Sequence, residues 1–112
     1  PWFATGCPGG SRIITAVLQT IINVIDHDLN IAEAINRPRM HHQWYPDILA
    51  MEKSYSPDTV KDLEERGHNI RLLNRMWSSV QTVAFRDGLF RGASDPRLPD
   101  GASVAPETAN AD

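Results

Sequence analysis

Cysteine is the scarcest chemistry-bearing residue in this chain of 112: Cys7 stands alone, which excludes an internal disulfide and leaves the redox compartment open. Charge of one sign is scarce as well, because 11 Lys and Arg are scattered among 14 Asp and Glu for a net charge of -3. A chain without a basic cluster lacks the electrostatic footprint that nucleic acid requires. Long apolar runs are also missing, and none approaches the ~20 residues that span a bilayer. No internal repeat is found. The chain starts at Pro1 without methionine or a signal peptide, so it is expected to be a cut piece whose targeting information lies elsewhere. What is present, 41% apolar and 22% charged residues, suits one modest globular core at most.

Local patterning points to a mixed α/β (α+β) chain. Trp2 to Thr5 reads as the end of a strand. From Ser11 to Asp26 the residues Ile13, Ile14, Val17, Leu18, Ile21, Ile22 and Ile25 recur at helical spacing, which predicts a helix with a wide buried stripe. β-branched residues dominate that helix, so its stability must come from packing. Asn30 with Glu33 forms a capping box for a short helix through Ile35, and Pro38 ends it, leaving Arg37 to Tyr45 as a loop. Asp47 to Lys53 predicts a strand buried more on one face. Ser56-Pro57 starts another helix, with Val60 and Leu63 inward and Gly67 as its stop. Ile70 to Leu73, Ser79 to Arg86 and Leu89 to Ala93 read as strands, the last two joined by an Asp87-Gly88 hairpin. The total is two or three helices and four or five short strands. Residues 98–112, rich in alanine and proline, are expected to form a flexible tail after a unit covering 1–97.

The densest chemical signal is Thr5-Gly6-Cys7-Pro8-Gly9-Gly10-Ser11-Arg12, a turn running into the first helix. The first N–H groups of a helix have no intrahelical acceptor and carry the positive end of its dipole, so an oxyanion placed there is stabilised. Gly9 and Gly10, lacking Cβ atoms, let a substrate approach their amides. The same turn also serves simply to join strand to helix, and the residues alone leave both readings open. A phosphate-loop reading fails for want of the lysine and the four-residue spacer. Cys7 beside this turn suggests a thiolate nucleophile, set against the common fate of free cysteine as a buried, inert side chain. His41-His42 and Asp26-His27-Asp28 contain metal-ligating types without ligand spacing, so no metal is expected. Arg39 and Arg97 suit either a substrate-carboxylate clamp or structural ties between loops, the structural role being favoured.

The run Gly6-Cys7-Pro8-Gly9-Gly10-Ser11-Arg12-Ile13 is followed in order by Pro38-Arg39-Met40-His41-His42-Gln43-Trp44, Pro46-Asp47, Glu52 and Gly92-Ala93-Ser94-Asp95-Pro96-Arg97. Together these motifs resemble the γ-glutamyltransferase (glutathione hydrolase) family over about residues 1 to 97, corresponding to roughly the C-terminal half of its small subunit. The resemblance implies a fragment of an N-terminal nucleophile hydrolase with an αββα sandwich. It also implies a self-cut precursor whose freed threonine attacks a γ-glutamyl amide with its own α-amino group as base, passing the acyl group to water or an amine. In that scheme Gly9 and Gly10 form the oxyanion hole. No cofactor is implied. The implied partners are the large subunit, the remainder of the small subunit and a small-molecule γ-glutamyl substrate, in a periplasmic or extracellular setting. Thr5 and Thr15 do not match the nucleophile, so the fragment alone is expected to be inactive. Two positions depart from the family pattern: Cys7, commonly a small residue such as serine, and Trp77, commonly glycine. Relatives acting on glutaryl-type amides, and a noncatalytic domain mediating subunit association, are the alternative readings.

Overall fold

Three helices and six short strands make up residues 2–74 and 78–104, the part of the chain described by the structure, a computed structural model. Trp77 and residues 105–112 of the expected tail lie outside it. Strand β1 (Phe3–Gly6) leads through the glycine turn into α1 (Arg12–Ile25), and α2 (Ile31–Asn36) follows. Next come β2 (Met40–His41), β3 (Leu49–Glu52), α3 (Pro57–Glu65) and β4 (Ile70–Leu73), then the hairpin of β5 (Gln81–Arg86) and β6 (Leu89–Ser94). The chain is therefore mixed α+β with two separate three-stranded sheets.

The first sheet is antiparallel in the order β1-β5-β6, with Ala4 opposite Val83 and Val83 opposite Gly92. Asp87 and Gly88 both take positive φ (54° and 74°), the turn geometry whose twist matches a two-residue hairpin. On one face Thr82, Ala84 and Ala93 are buried beneath the two helices, in a core with Ala16, Val24, Ile31, Ala34, Ile35 and Val80. The opposite face is open. Val83, Phe85 and Phe90 lie exposed there, the two phenylalanine rings 4.6 Å apart. Ser103 reaches the sheet through a 3.1 Å hydrogen bond to Ser94.

The second sheet pairs β2 antiparallel and β4 parallel to the central β3, with α3 making the crossover between the parallel strands. Four consecutive residues of β3, Leu49 to Glu52, are buried. The expected one-sided strand is thus corrected: both faces of this central strand are covered, with Arg97 lying over Glu52. The expected loop from Arg37 to Tyr45 is also corrected, since Met40 and His41 pair with Met51 and Ala50.

The first helix departs from expectation in a second way. Its buried line is Ala16, Thr20 and Val24, whereas Ile14 is 73% exposed, Leu18 52% and Ile25 59%. Helical periodicity reports that a face is apolar, and within this chain only its small-residue margin is covered. α2 follows the capping expectation, with Asn30 Oδ1 accepting from the Glu33 N–H at 2.9 Å. At α3 the Ser56 hydroxyl makes no capping bond, and Val60 and Leu63 are half-buried rather than enclosed.

An isolated 112-residue chain should therefore bind a hydrophobic dye and self-associate, because Ile14, Leu18, Val83 and Phe90 present apolar area to water. Ile14→Glu with Leu18→Glu should cut dye binding with little loss of helical circular dichroism. A monomeric, dye-negative chain would show that these faces are not sticky.

Candidate functional site

The glycine turn sits where β1 ends and α1 begins. Gly6 closes the ladder opposite Gln81, and Thr5 and Thr82 join hydroxyls across it at 2.9 Å. Gly9 and Gly10 then take φ of 137° and 59°, backbone that a Cβ makes costly, so the chain reverses without a side chain in the way. Their carbonyls accept from the N–H groups of Arg12 and Ile13, both at 3.1 Å, which starts the helix. The amides of Gly9 and Gly10 meet no acceptor among the described residues. Ser11 makes no capping bond and instead donates to Gln43 at 2.8 Å. The helix start therefore offers N–H donors that nothing in the described chain consumes.

Cys7 is half-buried and packs against the core. Burial pushes its thiol up from the ordinary value, against the smaller opposing pull of Arg39 and the Ser78 hydroxyl. A thiol raised by burial is a poorer source of thiolate, which runs against the nucleophile reading and agrees with a packed side chain. The adjacent histidines take different partners. His41 is buried, its Nδ1 2.7 Å from the Thr15 hydroxyl and its Nε2 2.9 Å from Gln43, while His42 pairs with Asp47 at 3.0 Å. Among the described residues no three His, Cys, Asp or Glu side chains gather as a metal site.

Beneath the turn lies a buried charge network that sequence spacing alone did not reveal. Arg39 and Arg97 do not reach for a substrate; each clamps this chain's own groups. Arg39 Nη2 binds Asp95 at 2.5 Å and the Ile35 carbonyl at 2.9 Å, while Nη1 donates to the Ser78 carbonyl at 2.9 Å. Arg97 holds Glu52 with both arms of its fork, Nε at 2.9 Å and Nη2 at 2.6 Å. Its Nη1 donates to Asp95 and Ile35, and Nη2 also to the Arg37 carbonyl. The Asp95 Oδ2 that binds Arg39 also takes the Val80 N–H at 2.9 Å, Oδ1 takes the Arg97 Nη1 and backbone N–H, and Glu52 accepts the Arg39 N–H at 2.7 Å. Burial alone pushes the Asp95 carboxyl up, but the N–H groups of Val80 and Arg97, aided by Arg39, prevail and hold it below the ordinary value. Burial and then the like charge of Arg97 lower the pKa of Arg39, whereas for Arg97 the bonds to Glu52 and Asp95 overcome burial and raise it. Tyr55 closes the edge with a 2.9 Å bond to the Pro38 carbonyl, its phenol pushed up by burial and by Glu52.

The residue that the sequence reading missed is Ser78. It is 1% exposed, and a Cβ added to Gly9 would lie 2.6 Å from its hydroxyl. A serine that follows Met76 and Trp77 in sequence carries no local signal of that proximity.

Residues 1–105 match the family model described as gamma-glutamyltranspeptidase. The glutathione hydrolase proenzyme of Escherichia coli (strain K12) is 54% identical over 99 residues, covering 88% of this chain and 17% of that one. The solved gamma-glutamyltranspeptidase of Helicobacter pylori superposes with a TM-score of 0.80 at 42% identity, over 87% of this chain and 54% of that one. That of Pseudomonas nitroreducens complexed with L-DON gives 0.82 at 28% identity, over 94% and 56%. The chain thus spans about a sixth of the E. coli proenzyme and about half of each solved chain.

Removing one partner of the network leaves a buried charge unanswered, so Asp95→Ala should cost about 3–5 kcal/mol of stability in chemical denaturation. The pH dependence has a definite sign. A carboxyl whose pKa is depressed by folding stabilises fully above its unfolded value, about 3.9, and that stability is lost as pH falls toward the folded value. The parent should therefore lose stability on acidification below about pH 4, and Asp95→Asn should show a shallower loss in that window. Equal acid slopes would contradict an ionised Asp95.

Proposed function

The chain belongs to the gamma-glutamyltranspeptidase family, and from that premise we propose that it is the C-terminal part of an enzyme that hydrolyses or transfers γ-glutamyl groups. Its contribution is the oxyanion hole, formed by the amides of Gly9 and Gly10. The observation that carries this reading is the conformation of the turn: two adjacent glycines at positive φ, with N–H groups unused among the described residues, at the start of a 14-residue helix. Attack on a γ-glutamyl amide places negative charge on the former carbonyl oxygen. Donors already oriented toward that position stabilise the transition state without reorganising. The same two amides would serve acylation and deacylation alike, since both pass through a tetrahedral oxyanion.

Four of the five described threonines are taken up in hydrogen bonds, which supports a nucleophile drawn from outside these residues. Thr5 pairs with Thr82, Thr15 with His41, and Thr20 with the Ala16 carbonyl. The partners follow from the faces left open. In this reading the apolar side of the first sheet, with Val83, Phe85 and Phe90, takes a facing sheet of an αββα sandwich supplied from outside this chain, and Ile14, Leu18 and Ile25 of α1 take the large subunit or the remainder of the small one.

Gly10→Ala in the intact, self-processed protein is the sharpest test. A Cβ there meets no atom within 4 Å, so the change acts only through its φ of 59°. The kcat on a chromogenic γ-glutamyl anilide should fall about a hundredfold or more, with a stability loss of only about 1–2 kcal/mol. Near-normal kcat would show that the turn is merely a joint. Faster turnover of a glutaryl anilide than of the γ-glutamyl one would favour the acylase reading, and the 112-residue chain alone should release no product above a buffer blank.

A further inference from the structure

Resting on the oxyanion reading above, we propose that Ser78 is the positioning residue of the glycine turn, its hydroxyl serving as the stop against which Gly9 is set. Ser78 lies between two parts of that turn. On one side its hydroxyl faces the Cys7 thiol, and on the other it fills the space that a Gly9 side chain would need. A Cβ built on Gly9 would stand 2.6 Å from Ser78 Oγ yet 3.6 Å from Ser78 Cβ, so the oxygen alone makes the close approach. Shortening the side chain by that one atom would open a gap under Gly9.

Ser78 Oγ is buried, and among the described residues it has no nitrogen or oxygen partner, only the weakly bonding Cys7 thiol that it faces, a cost that native structures rarely carry without a reason. Being enclosed, it cannot touch substrate, which assigns it a positioning role and not a catalytic one. Its own backbone is firmly held. The Ser78 carbonyl accepts from Arg39 at 2.9 Å, and two residues on the Val80 N–H is held by Asp95. Ser78 therefore links the buried charge network to the amides of the turn.

The test uses the intact, self-processed protein and the γ-glutamyl anilide, with kcat, KM and Tm measured together. Ser78→Ala should lower kcat about tenfold, because donors displaced by a fraction of an ångström stabilise an oxyanion poorly, while KM and Tm stay near the parent values. Ser78→Thr, which keeps the hydroxyl, should retain more kcat than Ser78→Ala. The decisive variant is Gly9→Ala with Ser78→Ala: loss of Oγ leaves only the ordinary contacts of 3.6 Å to the Cβ of residue 78 and 3.7 Å to Arg12 Cβ, so the double variant should turn over faster than Gly9→Ala alone. Unchanged kcat in Ser78→Ala, a fall in Tm without a fall in kcat, or strictly additive effects in the double variant would each overturn the assignment. Gly10→Ala separates the two levels. If it is impaired while Ser78→Ala is normal, the oxyanion reading stands and the role of Ser78 falls; if Gly10→Ala is normal, the reading itself falls and this proposal with it.

Discussion

The buried network of Arg39, Asp95, Arg97 and Glu52 is the constraint on which the rest of the structure depends. Four ionised groups have been taken out of water, which is unfavourable unless every donor and acceptor is answered. Here the answer comes from most of the fold. The two guanidinium groups bind carbonyls at the end of α2, Glu52 lies at the end of β3, and Asp95 follows β6 while holding the residue that leads into β5. A single charge cluster thereby fixes both sheets to the short helix between them. Apolar packing could not do this as specifically, since contacts among Ala34, Ile35, Val80 and Ala93 tolerate sliding and bidentate hydrogen bonds do not.

The glycine turn gains its definition from that network at one remove. Arg39 reaches the segment at Ser78, Ser78 stands against Gly9, and Gly9 accepts the first helical hydrogen bond from Arg12. A second tether runs along the outside, where Ser11 binds Gln43, Gln43 approaches His41, and His41 meets Thr15 on the next turn of α1. Between the two tethers the helix start is held from both sides. Its amides can then face a developing charge without moving, which is the property that electrostatic catalysis requires.

Much of this was legible in the sequence wherever the signal is local. The Asn30 cap, the Asp87-Gly88 hairpin and the glycine turn appear where the residues placed them, because each depends on a few neighbouring backbone angles. Non-local features were not. The two residues of β2 pair only because β3 is there to receive them, and their own propensity is weak. The isoleucine stripe of α1 announced an apolar face correctly but not what covers it, and within this chain Ala16, Thr20 and Val24 are the buried side. Arg97 and Glu52 stand 45 residues apart, and nothing in their spacing shows that they meet. Ser78 illustrates the limit most sharply, since it comes to lie beside Gly9 through the pairing of β1 with β5.

The most direct test of the account is a structure of the intact protein with a tetrahedral γ-glutamyl adduct on its nucleophile. The oxyanion should accept hydrogen bonds from the backbone amides of Gly9 and Gly10 at about 2.7–3.1 Å, with both glycines still at positive φ. An oxyanion held by other groups, with those two amides bound to water, would contradict it.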